Sequence, residues 1–160
     1  MTLPLVFSRD QRTGARNCGM YRIQKLDART AMMHWQIHKD SNHLFHQYKK
    51  AGRKMPVSVA IGGDPLYTWC GTAPLPHGIF ELMLYGFVRN KSARLVKSKT
   101  NPIYVPEDAD IVIEAVFEDP ELKRRVLGQI ERSVPADALI MREETFGPTM
   151  PIQRVRDLDE

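Results

Sequence analysis

The chain has 160 residues, 42% hydrophobic and 26% charged, enough for one soluble domain with a real core. Two cysteines, Cys18 and Cys70, exclude a disulfide framework or a cysteine zinc site and point to a reducing cytoplasm. The net charge of +4 includes two basic clusters, but these lack the interleaved aromatics of a nucleic-acid module and read first as solvated faces.

Residues 8–14 form a turn-rich entry. Residues 20–26 alternate as a strand, residues 27–29 make a hairpin turn, and residues 30–38 return as a second strand. On that return, Met33, Trp35 and Ile37 share the core face, and Met32, His34, Gln36 and His38 share the other. Residues 42–51 predict a helix closed by Gly52. Residues 56–61 are β-branched and read as a buried strand broken by Gly62 and Gly63. Asp64 and Pro65 open a helix as N-cap and first-turn proline, which Pro74 and Pro76 end.

Residues 78–89 form an apolar helical segment carrying Glu81, whose apolar run is too short to span a bilayer. No secretory signal is visible at the N-terminus. Short strands are expected at 93–100 and 103–105, around Asn101 and Pro102, and an alternating strand at 110–117. Asp119 and Pro120 cap a helix with Leu122, Val126, Leu127 and Ile130 on one stripe, followed by a charged, proline-interrupted tail. The pattern is mainly β with packed helices (α+β), a compact barrel or sheet core.

The stretch from Arg16 to Arg22 carries the most chemistry. Asn17, Gly19 and Arg22 suit a phosphate held through a cation, with an arginine placed to meet a carboxylate. Asn17, Glu81 and a histidine would make an oxygen and nitrogen set for Mn²⁺ or Mg²⁺. Alone, each has a plainer reading: Asn17 as an Asx-turn former, Glu81 as an exposed face residue. His34, His38, His43 and His46 crowd together without HExxH spacing, and read first as satisfied or exposed polar residues.

A family resemblance runs through these segments. Ser8-Arg-Asp, Thr13-Gly-Ala-Arg-Asn-Cys-Gly-Met-Tyr-Arg22, Met33-His-Trp-Gln36, Met55-Pro-Val-Ser-Val-Ala-Ile-Gly-Gly-Asp-Pro65, Thr72-Ala-Pro-Leu-Pro76 and Leu95-Val-Lys-Ser-Lys-Thr100 resemble, in order, the UbiD family of decarboxylases over residues 4–113. The resemblance implies a flavin-reductase-like split β-barrel over residues 1–118 that binds prenylated FMN, Mn²⁺ (or Mg²⁺) and often K⁺. It implies non-oxidative decarboxylation of an aromatic or α,β-unsaturated acid, with a flavin prenyltransferase supplying the cofactor. By position it implies metal ligation by Asn17 and Glu81 and a catalytic role for Arg22. Cofactor contacts would come from Asn17, Met20, Tyr21, Arg22, His34, Trp35, Gln36, Lys39 and Asp40. Some members carry a metal-binding histidine near position 40; Asp40 stands there, with His38 and His43 close by, and leaves the third ligand open.

The family's Glu-Gly-Pro-x-Gly-(Glu/Asp) run, which supplies two catalytic acids, is absent after Glu114, as are the flanking domains. Residues 108–140 instead resemble 3-hydroxyacyl-CoA dehydrogenases, with Ala115, Glu118 and Lys123 matching nicotinamide-side contacts. Residues 141–160 resemble aldehyde dehydrogenases through Glu144 and Phe146. The expectation is a UbiD-like barrel domain joined to a foreign helix and irregular tail at 119–160, catalytically incomplete alone, with self-association through apolar surface. The rival readings are a plain FMN-binding module, a non-enzymatic basic interaction domain and an NAD-dependent fragment.

Overall fold

A computed structural model gives the fold and describes residues 3–26, 30–117 and 149–153. In chain order its elements are β1 (Leu5–Arg9), β2 (Arg16–Met20), β3 (Ile23–Lys25), β4 (Thr30–His34), α1 (Asp40–Lys50), β5 (Met55–Ile61), α2 (Pro65–Cys70), α3 (Leu82–Arg89), β6 (Leu95–Lys97), β7 (Tyr104–Pro106), β8 (Ile111–Phe117) and β9 (Thr149–Gln153). β2, β1, β5 and β8 form an antiparallel four-stranded sheet in that order. β3, β4 and β9 form a second sheet, and β6 and β7 a third. The architecture is α+β and mainly β, as the sequence indicates. Among the described residues the strands make three sheets rather than one closed ring.

The central sheet is covered on both faces, which explains why β5 reads as a nearly continuous apolar run. Side chains alternate along a strand. Val6 of β1 and Met55, Val57 and Val59 of β5 therefore join Tyr21, Ile23, Met33, Trp35 and the α1 residues Leu44, Phe45 and Tyr48 in one core. Leu5, Phe7, Cys18 and Ala60 point the other way, to Tyr67, Cys70, Leu82, Tyr85, Ile103 and Val105 in a second core. Burying each large apolar side chain stabilises the fold by about 1.5–3 kcal/mol.

Local chemistry sets the turns. Asp10 Oδ1 accepts the Arg12 and Thr13 N–H groups at 2.7 and 2.8 Å, closing the β1–β2 hairpin. Gly62 has φ +84°, and a Cβ there would lie 1.9 Å from Asp110 Oδ2, so the exit from β5 requires glycine. Asp64 caps α2 by accepting the Leu66 N–H at 3.0 Å. Glu114 on β8 accepts the Lys99 and Thr100 N–H groups at 2.7 and 2.6 Å and pins the loop between β6 and β7.

Several expected bounds move. The expected strand over 20–26 divides into the end of β2 and the short β3. The return strand stops at His34, four residues early. The Lys39 N–H turns back to the Gln36 carbonyl at 3.0 Å, and α1 starts at Asp40 rather than residue 42. Ile37 consequently leaves the core and is 57% exposed. α2 ends at Cys70 with Gly71 as its C-cap, before Pro74. Glu81 is not within α3 but at its N-cap position. In the tail expected to be irregular, Thr149–Gln153 is strand, antiparallel to β4. The turn at 27–29 and the helix over 119–134 lie outside the described residues.

Candidate functional site

Asn17 sits on β2 opposite Ser8 of β1. Neither forms an Asx turn; both are buried, at 7% and 2% exposure. The Asn17 Nδ2 donates to Ser8 Oγ at 3.2 Å and to Ser41 Oγ, in the first turn of α1, at 3.0 Å. With both amide hydrogens on hydroxyls, the side-chain oxygen is the atom left for a cation. Tyr21 is buried at 6% exposure, and burial raises its pKa while Ser41 and Asn17 act to lower it.

Glu81 arrives from a distant loop. It is 9% exposed, and its Oε2 accepts the main-chain N–H of Cys18 at 2.7 Å. Burial pushes its pKa up to about 7, the Cys18 N–H opposes that rise, and the charge of Asp40 adds to it. The exposed-face reading of Glu81 is thus replaced by a buried carboxylate against the residue that follows Asn17.

A closed circuit of contacts surrounds this corner. Asn17 bonds Ser41, whose neighbour Asp40 holds His77 Nδ1 through Oδ1 at 2.7 Å. His77 lies four residues before Glu81, and Glu81 returns to Cys18 beside Asn17. Among the described residues no three His, Cys, Asp or Glu side chains gather as a metal-holding group. A cation here would therefore need the Asn17 amide as well as carboxylates. Such oxygen donors suit Mg²⁺ or Mn²⁺.

The other expected site residues fall into two groups. Arg22 is exposed, its main-chain carbonyl accepts the His34 N–H at 2.9 Å, and no ion pair involves it among the described residues. Gln36 and Lys39 are exposed, and Met20 and His34 are half-buried. Trp35, by contrast, is 0% exposed, with its ring edge-on to Tyr21 at 6.1 Å and to Phe45 at 6.0 Å. Its indole shapes the core beneath the site, so that position could reach a ligand only through its backbone. His38, His43 and His46 are all exposed. Ala115 is fully buried in the first core, and Glu118, Lys123, Glu144 and Phe146 lie outside the described residues. Sequence reasoning misses Ser8, Ser41 and His77; a serine directly after Asp40 at a helix start is the one local signal for them.

Comparison with known proteins identifies the family. The model of the UbiD family, the 3-octaprenyl-4-hydroxybenzoate carboxy-lyase Rift-related domain, matches residues 1–126. An uncharacterized protein of Helicobacter pylori J99 is 53% identical over 123 residues, covering 77% of this chain and 20% of that protein. A 4-hydroxybenzoate decarboxylase polypeptide of Chlamydia pneumoniae is 35% identical over 130 residues, covering 80% of this chain and 22% of its own length. The UbiD-class enzyme HmfF of Pelotomaculum thermopropionicum, in an evolved dimeric form in complex with prFMN, shares the fold. It has a TM-score of 0.73 at 22% identity, over 96% of this chain and 34% of HmfF. The chain thus spans about a fifth of the length of these two sequence relatives. Among the described residues no helix is long and apolar enough to cross a membrane. By its family match and its relatives, the chain belongs to the UbiD family of decarboxylases.

Proposed function

We propose that this chain is the cofactor-phosphate and cation cradle of a prenylated-FMN-dependent decarboxylase acting on an aromatic or α,β-unsaturated acid. The observation that carries the reading is the 2.7 Å bond by which buried Glu81, far away in sequence, accepts the main-chain N–H of Cys18, the residue after Asn17. The donor chemistry fits a divalent ion shared with a phosphate. An amide oxygen is presented by its own N–H bonds, and a buried carboxylate has no cationic side chain paired with it among the described residues. When bound, prenylated FMN supplies an electron sink for loss of CO₂.

The chain's own residues bind and orient. Asn17 and Glu81 would hold the cation, with the Ser8 and Ser41 hydroxyls fixing the amide. Tyr21 and Trp35 close the floor and keep water from beneath it. Arg22 is exposed at the exit of β2, where its guanidinium can grip a substrate carboxylate through paired N–H donors. No ion pair engages Arg22 among the described residues, and the family's acid run is missing. This favours a stretch that binds cofactor and carboxylate but receives its proton donor from a longer protein.

The test is a thermal melt with Mn²⁺ and prenylated FMN, with FMN as the comparison. A rise in Tm with both partners, lost in Asn17→Ala, supports the reading. Equal shifts with FMN and prenylated FMN would leave a plain flavin module. No shift with either flavin overturns it.

A further inference from the structure

We infer that Arg9 and Arg16, with Tyr104 beside them, form a second ligand site that takes a single phosphate group without a metal ion. Neither arginine belongs to the residues that would hold the cation, so this site goes beyond the proposed function and does not depend on it.

The two arginines stand directly opposite each other on the last rung of the β1–β2 hairpin. Like charges in that relation repel. No ion pair relieves either of them among the described residues. Each guanidinium is nonetheless held in place. Arg9 Nε donates to the Gly14 carbonyl at 2.9 Å. Gly14 has φ +76°, and a Cβ there would come within 2.8 Å of Arg9 Nη2, so glycine both makes the turn and admits the arginine. The Arg16 guanidinium carbon lies 4.7 Å from the centre of the Tyr104 ring. These contacts use one N–H of Arg9 and the flat face of Arg16. The remaining N–H donors are left at the edges of the two forks, where oxyanions are gripped.

The wall opposite the hairpin is fixed as well. Asn101 Oδ1 accepts the Ile103 N–H at 3.0 Å, Asn101 Nδ2 donates to the Val57 carbonyl at 3.2 Å, and Ser58 Oγ lies 2.8 Å from Ser98 Oγ. This buried network ties the segment before Tyr104 to β5, so no ordering is left to accompany binding. Arg9, Arg16 and Tyr104 border an open cleft over an apolar base of Phe7 and Ile103, and no aspartate or glutamate lines it. Its space is about 240 Å³ with the solvent mouth included, below the roughly 300–1,000 Å³ of sites for drug-sized molecules. It therefore suits one small group. A carboxylate presents two oxygens and a single charge, a match for one arginine. A phosphate presents three oxygens and nearly two charges, a match for both.

A ³¹P NMR titration of the full chain with inorganic phosphate, in EDTA at fixed ionic strength, tests this assignment. Binding should saturate at one phosphate per chain. Arg9→Gln and Arg16→Gln should each weaken it by about 10-fold. Tyr104→Leu should weaken it by about 3-fold through loss of the stacking face, and Tyr104→Phe should bind as wild type does. Acetate should compete only weakly.

Absence of phosphate binding in wild type overturns the site, as does undiminished binding in both arginine variants. Binding that appears only when Mn²⁺ is added would assign the phosphate to the cation corner, and the separate site falls. Equal affinity for acetate would reduce the cleft to a surface that attracts any anion. Should Arg9→Gln loosen the hairpin, Arg16→Gln and the two Tyr104 variants decide the matter, since Arg16 and Tyr104 are exposed. None of these readings involves a flavin or a bound cation, so this site and the proposed function fail separately.

Discussion

Two buried or half-buried carboxylates, each at the N-cap position of a short helix, have opposite surroundings. Asp64 accepts the Leu66 N–H at 3.0 Å and the Tyr85 hydroxyl at 3.2 Å, and both its oxygens lie 2.7 Å from Arg89 Nη2. The Arg89 bond, above all, holds its pKa below the ordinary carboxylate value. Glu81 is more deeply buried and receives only main-chain N–H donors, with Asp40 as a charged neighbour of the same sign; burial pushes it up to about 7. The first carboxylate is complete without a ligand, because its countercharge belongs to the fold. The second has no ion pair to a cationic side chain among the described residues. A polar cluster that satisfies itself fastens helices, and one that does not is where a binding site is sought.

Four experiments put this contrast under strain. The largest expected effect is the loss of all Mn²⁺-dependent stabilisation in Asn17→Ala, read as Tm against metal concentration. That variant also forfeits two hydrogen bonds between buried groups, so its metal-free form should be weaker by about 1–3 kcal/mol. If Mn²⁺ still raises its Tm as in wild type, the asparagine is not a ligand.

Next comes the pH dependence of the metal-free protein. The folded pKa of Glu81 lies above the unfolded value near 4.5, so the folded state holds the extra proton between them. Stability should therefore fall as pH rises from about 4.5 to about 7 and then level off. The full loss would be roughly 3 kcal/mol. Glu81→Gln, neutral at every pH, should flatten this slope and be the more stable protein at pH about 8 in urea melts. A metal-free wild type whose stability is flat across that window would contradict the buried, uncompensated carboxylate.

Asp64 should show the reverse sign and a smaller effect. Its folded pKa is depressed, so its contribution is present above the ordinary aspartate value and lost as pH falls through the folded one. Asp64→Ala should lower stability by about 1 kcal/mol at neutral pH, chiefly through the lost cap of α2, with Mn²⁺ binding unchanged. A fall in Mn²⁺ affinity would mean the two clusters are coupled. The smallest effect belongs to His77→Ala, whose metal-free stability should stay within about 0.5 kcal/mol of wild type. A larger loss would make the pair with Asp40 a structural clamp.

Local signals make much of the fold legible. β5 is readable from Pro56 to Ile61 because its branched Val57 and Val59 fill one core and Ala60 joins the other. The start of α2 is readable because an aspartate and a proline in tandem satisfy a helix N-terminus without help from elsewhere. The return strand reads too long, since nothing local announces that Gln36 and Lys39 close a turn. Glu81 is recognisable through the family pattern alone; its own context in an apolar segment argues for exposure. Ser8, Ser41 and His77 give almost no sign, because each matters through a partner far along the chain.

Side-chain type, alternation and capping are properties of neighbours along the chain. They settle that this protein is mainly β with short helices, where its glycines must turn, and which residue types are available for chemistry. Whether an amide and a carboxylate more than sixty residues apart face each other depends on how β2, α1 and the loop before α3 pack. The same packing decides how much water each charge keeps. Desolvation arises only once the chain has closed around a group, and so the folded structure alone turns Glu81 from an ordinary acid into one whose pKa is pushed up to about 7.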